Sequence, residues 1–188
     1  EERDLWHLGS DTKMMTASLA ALCVERGELR WNSTVDELFA GEFEIRKEYL
    51  TVTLLELLSH RSGAPANIAY HKIDASLSRS GQRREAARMV LSAKPAKKPG
   101  SAFLYSNAGY VVTGAMIEKA CGADWETLMT ERVFAPLGMT SAGFGGLGTK
   151  GLVDQPWGHT APKKPYAVNG PLADNPPVIG PAGTVHCT

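Results

Sequence analysis

Apolar residues along the chain form three stretches that predict helices of different burial. Residues 10–26 are rich in Ala, Leu and Met and contain no Gly or Pro, so we expect a helix that ends at Gly27. Its apolar positions run almost all the way round, which indicates a helix buried on most sides with a polar first turn. Residues 108–121 predict a second helix, and residues 82–93 predict a moderately amphipathic one.

Shorter elements lie between these helices. Thr53 and Glu56 have the spacing of a capping box before a run of leucines, which predicts a short core helix. Residues 29–50 are irregular, and we expect a surface excursion with one helical turn at the apolar segment 35–39. Asp124 is expected to cap a further short helix. The first three quarters of the chain are therefore predicted to be mostly helical.

Glycine and proline crowd residues 141–188, so regular helix is not expected to persist there. The same segment contains Trp157, Tyr166, Val178 and Ile179, which makes it too apolar for simple disorder. We therefore expect irregular structure that packs against the rest of the chain.

Composition and charge exclude several classes of protein. The 188 residues are 43% hydrophobic and 21% charged, as in ordinary soluble globular domains, so a disordered or fibrous protein is not indicated. Twenty basic residues balance twenty acidic ones, which argues against a nucleic-acid or anionic-membrane partner. No apolar run reaches the roughly 18 residues of a membrane span. The local basic cluster is interpreted as a solvated helix face and loop; it contains Arg79, Arg83, Arg84, Arg88, Lys94, Lys97 and Lys98.

Cysteine and histidine positions favour neither a disulfide framework nor a metal site. Cys23, Cys121 and Cys187 are odd in number, far apart and without CxxC spacing, so buried free thiols are predicted. The five histidines form no i,i+4 pair and no HExxH motif. No metal and no cofactor are therefore predicted.

Reactive chemistry is suggested at the start of the first helix. Ser10 and Lys13 have S-x-x-K spacing, which places the hydroxyl and the amine on one helix face within reach of each other. A serine hydroxyl is a weak nucleophile until a base takes its proton, and the helix N-terminus favours negative charge developing on a substrate. The alternative is an N-cap followed by a surface lysine. Because the rest of this helix is predicted to be buried, a lysine there needs a partner or a function.

A second constellation lies in the turn before the helix of residues 108–121. Tyr105, Ser106 and Asn107 follow an exposed loop with the pattern Y-x-N. The alternative interpretation is that Tyr105 packs by its ring while Asn107 caps the helix. Both roles can coexist.

Four segments in one order resemble the serine β-lactamase and penicillin-binding protein superfamily, in particular its class C-like branch of β-lactamases, DD-peptidases and esterases. They are Gly9–Lys13, Leu57–Gly63, Pro99–Gly100 before Tyr105–Tyr110, and Pro136–Met139. The resemblance implies the α and β fold called β-lactamase/transpeptidase-like, of which this chain would cover mainly the all-helical part. On this view residues 1–188 are one incomplete domain, with a helical region at about 10–140 and an irregular region at about 141–188.

The resemblance also implies roles for individual residues. Ser10 would be the nucleophile that forms an acyl-enzyme, Lys13 would assist its deprotonation, and Tyr105 would pass the proton towards the leaving group. Whether Lys13 or Tyr105 is the base stays open. Asn107 would contact the substrate amide or orient Lys13. His60 is implied to form a structural turn and not to be catalytic.

The implied substrate is a small molecule, namely an ester, a β-lactam or a D-Ala-D-Ala-type amide. Small ester or amide hydrolysis is preferred to dedicated β-lactamase action, because no water-activating residue is identifiable. One alternative is a non-hydrolysing penicillin-binding or sensor module of the same fold. Another is a helical interaction domain in which Ser10 and Tyr105 only cap helices. The resemblance favours an exported over a cytoplasmic protein and says nothing of oligomeric state.

The sequence departs from the family at its third motif, Lys-Thr-Gly or His/Trp-x-Gly, on a strand that supplies one oxyanion N–H group. Lys150-Gly151 lacks the middle residue, and Trp157–His159 lies in a Pro-rich stretch where no strand is expected. With most of the sheet missing, we expect little or no turnover from these 188 residues alone.

Overall fold

The computed structural model describes residues 2–149, 151–160, 164–166, 170 and 172–188. Lys150, considered above for a Lys-Thr-Gly motif, lies outside these residues. Within them, no helix is both long and apolar enough to cross a bilayer. The helices of this part are α1 Thr12–Glu25, α2 Val35–Phe39, α3 Leu54–Leu58, α4 Arg79–Ser92, α5 Asn107–Cys121, α6 Trp125–Met129 and α7 Gly180–Gly183. Its strands are β1 Trp6–His7, β2 Gly143–Phe144, β3 His159–Thr160, β4 Lys164–Pro165 and β5 Val185–Cys187.

Helix α5 forms the centre of the core. All ten of its residues from Ala108 to Ile117 are buried, and α1, α3, α4 and α7 pack around it. Helix α1 contributes the fully buried Leu19, Ala20 and Cys23 to the same core. Part of the first turn of α1 is exposed to solvent, since Met14 is 67% exposed. The two helices that carry or follow the predicted motifs are therefore held by extensive apolar burial.

Local sequence signals place the short helices. The capping box of Thr53 and Glu56 is confirmed, because each side chain accepts a hydrogen bond from the other residue's backbone N–H at the start of α3. Helix α2 begins with a second capping box, from Thr34 and Glu37. The expectation of a surface excursion is wrong here, because the apolar side of α2, which includes Phe39, is buried in the core.

Strand β5 is the middle strand of a small antiparallel sheet with the order β1-β5-β2. Trp6 pairs with Cys187, and Gly143 pairs with His186. A two-stranded hairpin of β3 and β4 is exposed. Because β3 contains His159, the expectation of no strand around Trp157–His159 is wrong.

Two helical turns also occur in the proline-rich segment, contrary to the expectation for it. Residues Pro177–Ile179 form a 3-10 turn that leads into α7. Pro181 lies in the first turn of α7, where a missing N–H donor costs no intrahelical hydrogen bond. Short helical structure is therefore compatible with this proline content.

The basic cluster on α4 is divided by the packing of that helix. Arg79, Arg84 and Arg88 have side chains between 46% and 62% exposed, as a solvated face requires. Arg83 is a correction to the prediction, because its side chain is completely buried. This side of α4 faces α5 and α6, where Glu118 and Glu126 hold the Arg83 guanidinium at 2.6 Å each.

Candidate active site

Ser10 lies in a 3-10 turn, Gly9–Asp11, that leads directly into the N-terminus of α1. Gly9 has a φ of +51°, which a residue with a side chain rarely adopts, and its N–H donates to His7 Nδ1 at 3.1 Å. The Ser10 side chain is exposed. The positive end of the α1 dipole thus lies next to an accessible hydroxyl.

Lys13 lies one helical turn further along and faces inwards. It is only 5% exposed. Its Nζ donates to Ser10 Oγ at 3.1 Å and to the Ala182 carbonyl at 2.7 Å. Among the described residues, no carboxylate forms an ion pair with this ammonium. The positive charge of Lys13 is therefore directed at Ser10.

Tyr105 reaches the same serine from the loop before α5. Its hydroxyl donates to Ser10 Oγ at 2.7 Å, and the Lys13 ammonium lies 4.8 Å from the centre of its ring. Burial acts to raise the pKa of Tyr105, but the Lys13 and Ser10 side chains outweigh it and hold this pKa below its ordinary value. A larger fraction of the phenol is therefore ionised at a given pH and able to accept a proton.

The His60 ring packs against the Tyr105 ring. The rings of His60 and Tyr105 lie 4.6 Å apart, and His60 Nδ1 accepts a hydrogen bond from the Ser106 N–H at 3.0 Å. His60 itself has a φ of +59°, in the left-handed region. Burial, followed by the charge of Lys13, lowers the pKa of His60. The neutral ring positions Tyr105 and is not in contact with Ser10 Oγ.

Asn107 neither caps α5 nor bonds to Lys13 among the described residues. Its side-chain Nδ2 donates to Asn67 Oδ1 at 2.9 Å, and no described hydrogen bond joins it to Lys13. The residue that caps α5 is Ser106, whose hydroxyl accepts from the Gly109 N–H, so Asn107 is the first helical residue instead of the cap. The predicted contact with a substrate amide is compatible with this placement. Asn67 was missed, because nothing in its local sequence indicates proximity to α5.

Helix α7 forms the floor of the site, which sequence reasoning also missed. Besides the bond from Lys13 to Ala182, Thr16 Oγ1 donates to the Pro181 carbonyl at 2.7 Å. Gly114 of α5 allows this approach, because a Cβ there would lie 2.3 Å from Pro181 Cγ. The Ala182 carbonyl, which accepts the hydrogen bond from Lys13, is therefore held in place by the packing of α7 against α1 and α5.

A cleft of about 410 Å³ is lined in part by β1, which precedes the turn that carries Ser10; Ser10, Lys13 and Tyr105 are not among its lining residues. Its walls include the aromatic rings of Trp6, Trp157 and Tyr166. His7, which accepts from Gly9, also lines it and lies 2.6 Å from Asp174. Polar side chains, which include His7, Asp174 and Asn175, line the cleft together with the apolar ones.

Residues that could bind a metal do not belong to this site. Within the described ranges, the cluster of suitable ligand atoms consists of Cys23, Glu28 and Cys121. Cys23 lies near the C-terminal end of α1, about 20 Å along the helix from Ser10 at a rise of 1.5 Å per residue. The Ser-Lys-Tyr arrangement is suited to acyl transfer by side chains alone.

Comparisons with known proteins identify the family of this chain. The Beta-lactamase family model matches residues 1–188. Acyltransferase mokF of Monascus pilosus is 31% identical over 155 residues, which cover 73% of this chain and 37% of that protein. Penicillin-binding protein 4 of Amycolatopsis lactamdurans is 30% identical over 139 residues, 70% of this chain and 34% of that protein. Unguisins hydrolase ungD of Aspergillus violaceofuscus is 29% identical over 149 residues, 74% of this chain and 26% of that protein.

Solved structures give the same result for the fold. The D-alanine carboxypeptidase AmpC from Burkholderia cenocepacia matches the whole chain with a TM-score of 0.75 at 26% identity, over 47% of its own length. A class C β-lactamase matches with a TM-score of 0.78 at 20% identity, over 48% of its length. The chain thus spans about a quarter to a half of the proteins that it matches. The family model, the relatives and the shared α and β fold show that this chain belongs to the β-lactamase family, whose members among these relatives include hydrolases and acyltransferases.

Proposed function

We propose that this protein is a serine hydrolase that forms an acyl-enzyme on Ser10. The observation that carries the proposal is the convergence on one oxygen: Ser10 Oγ lies 2.7 Å from the Tyr105 hydroxyl and 3.1 Å from Lys13 Nζ. A solvent-exposed serine with a phenol and a buried cation at hydrogen-bond distance has the parts of an activated nucleophile. In a helical interaction domain these three groups would have no reason to meet.

The first half of the proposed reaction uses these three side chains. Ser10 Oγ attacks the substrate carbonyl carbon while its proton moves to Tyr105 or Lys13. The tetrahedral intermediate then collapses, the bond to the leaving group breaks, and Tyr105 returns a proton to that group. The Lys13 charge favours the phenolate form of Tyr105, and the N-terminus of α1 stabilises negative charge on the carbonyl oxygen.

The second half transfers the acyl group to an acceptor, which we propose is water. The names of the relatives include both an acyltransferase and hydrolases, and for this chain we propose acyl transfer with Ser10 as the residue that carries the acyl group. We propose a small ester or amide as the substrate class in preference to a β-lactam. No carboxylate among the described residues hydrogen-bonds to Ser10, Lys13 or Tyr105 in the way that a residue activating water for fast deacylation would.

The lack of such a carboxylate favours one alternative, a penicillin-binding or sensor module. Such a module is acylated once and then loses the acyl group slowly. The distinction is kinetic. A hydrolase releases many equivalents of product per protein, whereas such a module gives a single stoichiometric burst.

We also propose that the helical region at about 10–140 and the Gly/Pro-rich region at about 141–188 act as one domain. Lys13 of the first region donates to Ala182 of the second, and Val185 of the second donates its N–H to Thr12 at 3.1 Å. The site is built from both.

Covalent labelling tests the assignment of the nucleophile. Full-length protein is incubated with a fluorescent penicillin and, separately, with a fluorophosphonate. We expect labelling that Ser10→Ala abolishes and Ser18→Ala retains, since Ser18 is an exposed serine on the same helix whose hydroxyl bonds only Met14. Equal labelling of the Ser10→Ala variant would overturn the proposal. A chromogenic ester then separates repeated turnover from a single burst.

A further inference from the structure

The ends of α1 and α5 that lie away from the candidate active site bring two free thiols together. Cys23 and Cys121 are 98 positions apart in the sequence, yet their sulfur atoms lie 3.3 Å apart. Cys23 is completely buried, whereas Cys121 is partly exposed. One sulfur of the pair is thus open to solvent and the other is protected.

An arginine and a glutamate complete the surroundings of this pair. Arg132 Nη1 lies 3.6 Å from each sulfur atom and 2.5 Å from Glu28 Oε2. The hydrogen bond from Cys121, together with the Arg132 charge, lowers the pKa of Cys23 despite its burial. The same hydrogen bond, burial and Glu28 raise the pKa of Cys121. The pair therefore places the thiol with the lowered pKa inside the protein and the thiol with the raised pKa at the surface, beside a fixed cation.

A divalent metal is the other occupant that these ligand types suggest. Cys23, Glu28 and Cys121 supply three ligand atoms within 4.8 Å of one another, whereas structural zinc sites use four. The Arg132 guanidinium also lies against all three and would repel a cation. The arrangement suits thiol chemistry better than metal binding.

We propose that Cys23 and Cys121 form a reversible disulfide that joins the C-terminal end of α1 to the C-terminal end of α5. The sulfur atoms must approach by about 1.2 Å to reach a bond length near 2.05 Å. Small side-chain rotations supply such a movement. This modification site is independent of the chemistry at Ser10.

The oxidant required is a small disulfide such as oxidised glutathione. The partly exposed Cys121 thiol loses its proton to solvent and attacks one sulfur of the reagent. The reagent's S–S bond breaks, and its other half leaves as a thiolate that takes up a proton from solvent to give the first thiol. The Cys23 thiol then loses its proton and attacks the Cys121 sulfur. The bond between Cys121 and the reagent breaks, the protein disulfide forms, and the departing thiolate takes up a proton to give the second thiol. Two protein thiols are oxidised and one reagent disulfide is reduced to two thiols.

Peptide mapping of oxidised full-length protein tests this proposal. After treatment with oxidised glutathione, we expect the intact mass to fall by about 2 Da and tryptic peptides 14–26 and 120–132 to migrate as one cross-linked species. A reducing agent should separate them. Oxidation should raise Tm by about 5–10 °C, because a long loop is closed in the unfolded chain.

Matched variants complete the experiment. Cys187→Ser should leave the cross-link and the Tm shift unchanged, while Cys23→Ser and Cys121→Ser should each abolish both. If Cys23→Ser does not fold, Cys121→Ser still tests the proposal, because Cys121 is the less buried of the two. Arg132→Gln should slow cross-linking about tenfold. A glutathione adduct that persists on Cys121, or stoichiometric Zn²⁺ capture by the reduced pair without cross-linking, would overturn the proposal.

Discussion

Lys13 and Arg83 are two buried cations in opposite chemical situations. Arg83 is completely buried and meets two carboxylates, Glu118 and Glu126, at 2.6 Å each. Lys13 is 5% exposed and meets a serine hydroxyl and a backbone carbonyl instead. One charge is neutralised by the fold, and the other is left to act on its neighbours.

The difference indicates which cation is structural. Burial alone would lower the pKa of Arg83, but the hydrogen bonds and charges of Glu118 and Glu126 raise it above its ordinary value. Arg83 also donates to the Pro177 carbonyl at 3.4 Å and so helps to hold the segment before α7. Its network joins α4, α5 and α6. A lysine buried without a carboxylate costs stability, and such a cost is typical of a site kept for function.

Replacing Lys13 should give the largest effect on chemistry. Lys13→Met keeps most of the side-chain volume and removes the charge. We expect the rate of acylation by a chromogenic ester to fall by about 10⁴-fold, while Tm stays unchanged or rises. Stopped-flow acylation and calorimetry measure the two effects. A variant that loses stability while acylating normally would reverse the roles assigned to the two cations.

Tyr105→Phe should lower acylation by about 10²- to 10³-fold and remove its dependence on pH. Because Lys13 and Ser10 hold the pKa of Tyr105 below its ordinary value, the rate in the unmodified protein should rise with pH, with a midpoint below about pH 10, as the phenolate forms. Rate profiles between pH 6 and about 11 test this sign. In Lys13→Met any residual rise should move to higher pH, since the cation that favours the phenolate is gone. An identical midpoint in both proteins would contradict the role of Lys13.

Arg83→Met should instead act on folding. Removal of the cation leaves Glu118 and Glu126 buried without their partner, and we expect a loss of about 3–5 kcal/mol in the free energy of unfolding. The triple variant Arg83→Met, Glu118→Gln and Glu126→Gln should recover most of it. Denaturant titration measures both. Acylation per folded molecule should change less than tenfold, and a larger change would place Arg83 in the chemistry.

The sequence predicted local contacts well and distant ones poorly. The capping box at Thr53 and the approach of Ser10 to Lys13 span three residues each, so helical geometry alone determines them. The contacts of Ser10 with Tyr105 and of Lys13 with Ala182 span 95 and 169 positions. Only the resemblance to a family joined the first pair, and nothing indicated the second.

Burial of charge and thiol pairing were hidden for the same reason. Arginines on α4 look alike in the sequence, and only packing against Glu118 and Glu126 distinguishes Arg83. Wide spacing argued against any disulfide framework, yet helices of similar length that pack side by side bring Cys23 and Cys121 together. Such contacts depend on tertiary arrangement, which local pattern does not encode.

The smallest effect should come from the floor of the site. In Gly114→Ala the new Cβ would lie 2.3 Å from Pro181 Cγ, so α7 must move and carry the Ala182 carbonyl away from Lys13. We expect acylation to fall about five- to tenfold, with a loss of about 1–3 kcal/mol in stability. Met116→Ala is the matched control, because it leaves a cavity in α5 and costs a similar or larger amount without a clash at Pro181. Acylation per folded molecule should be normal in Met116→Ala. If both variants acylate equally slowly, general loosening of α5 explains the effect, and the Ala182 carbonyl has no part in directing the Lys13 charge at Ser10.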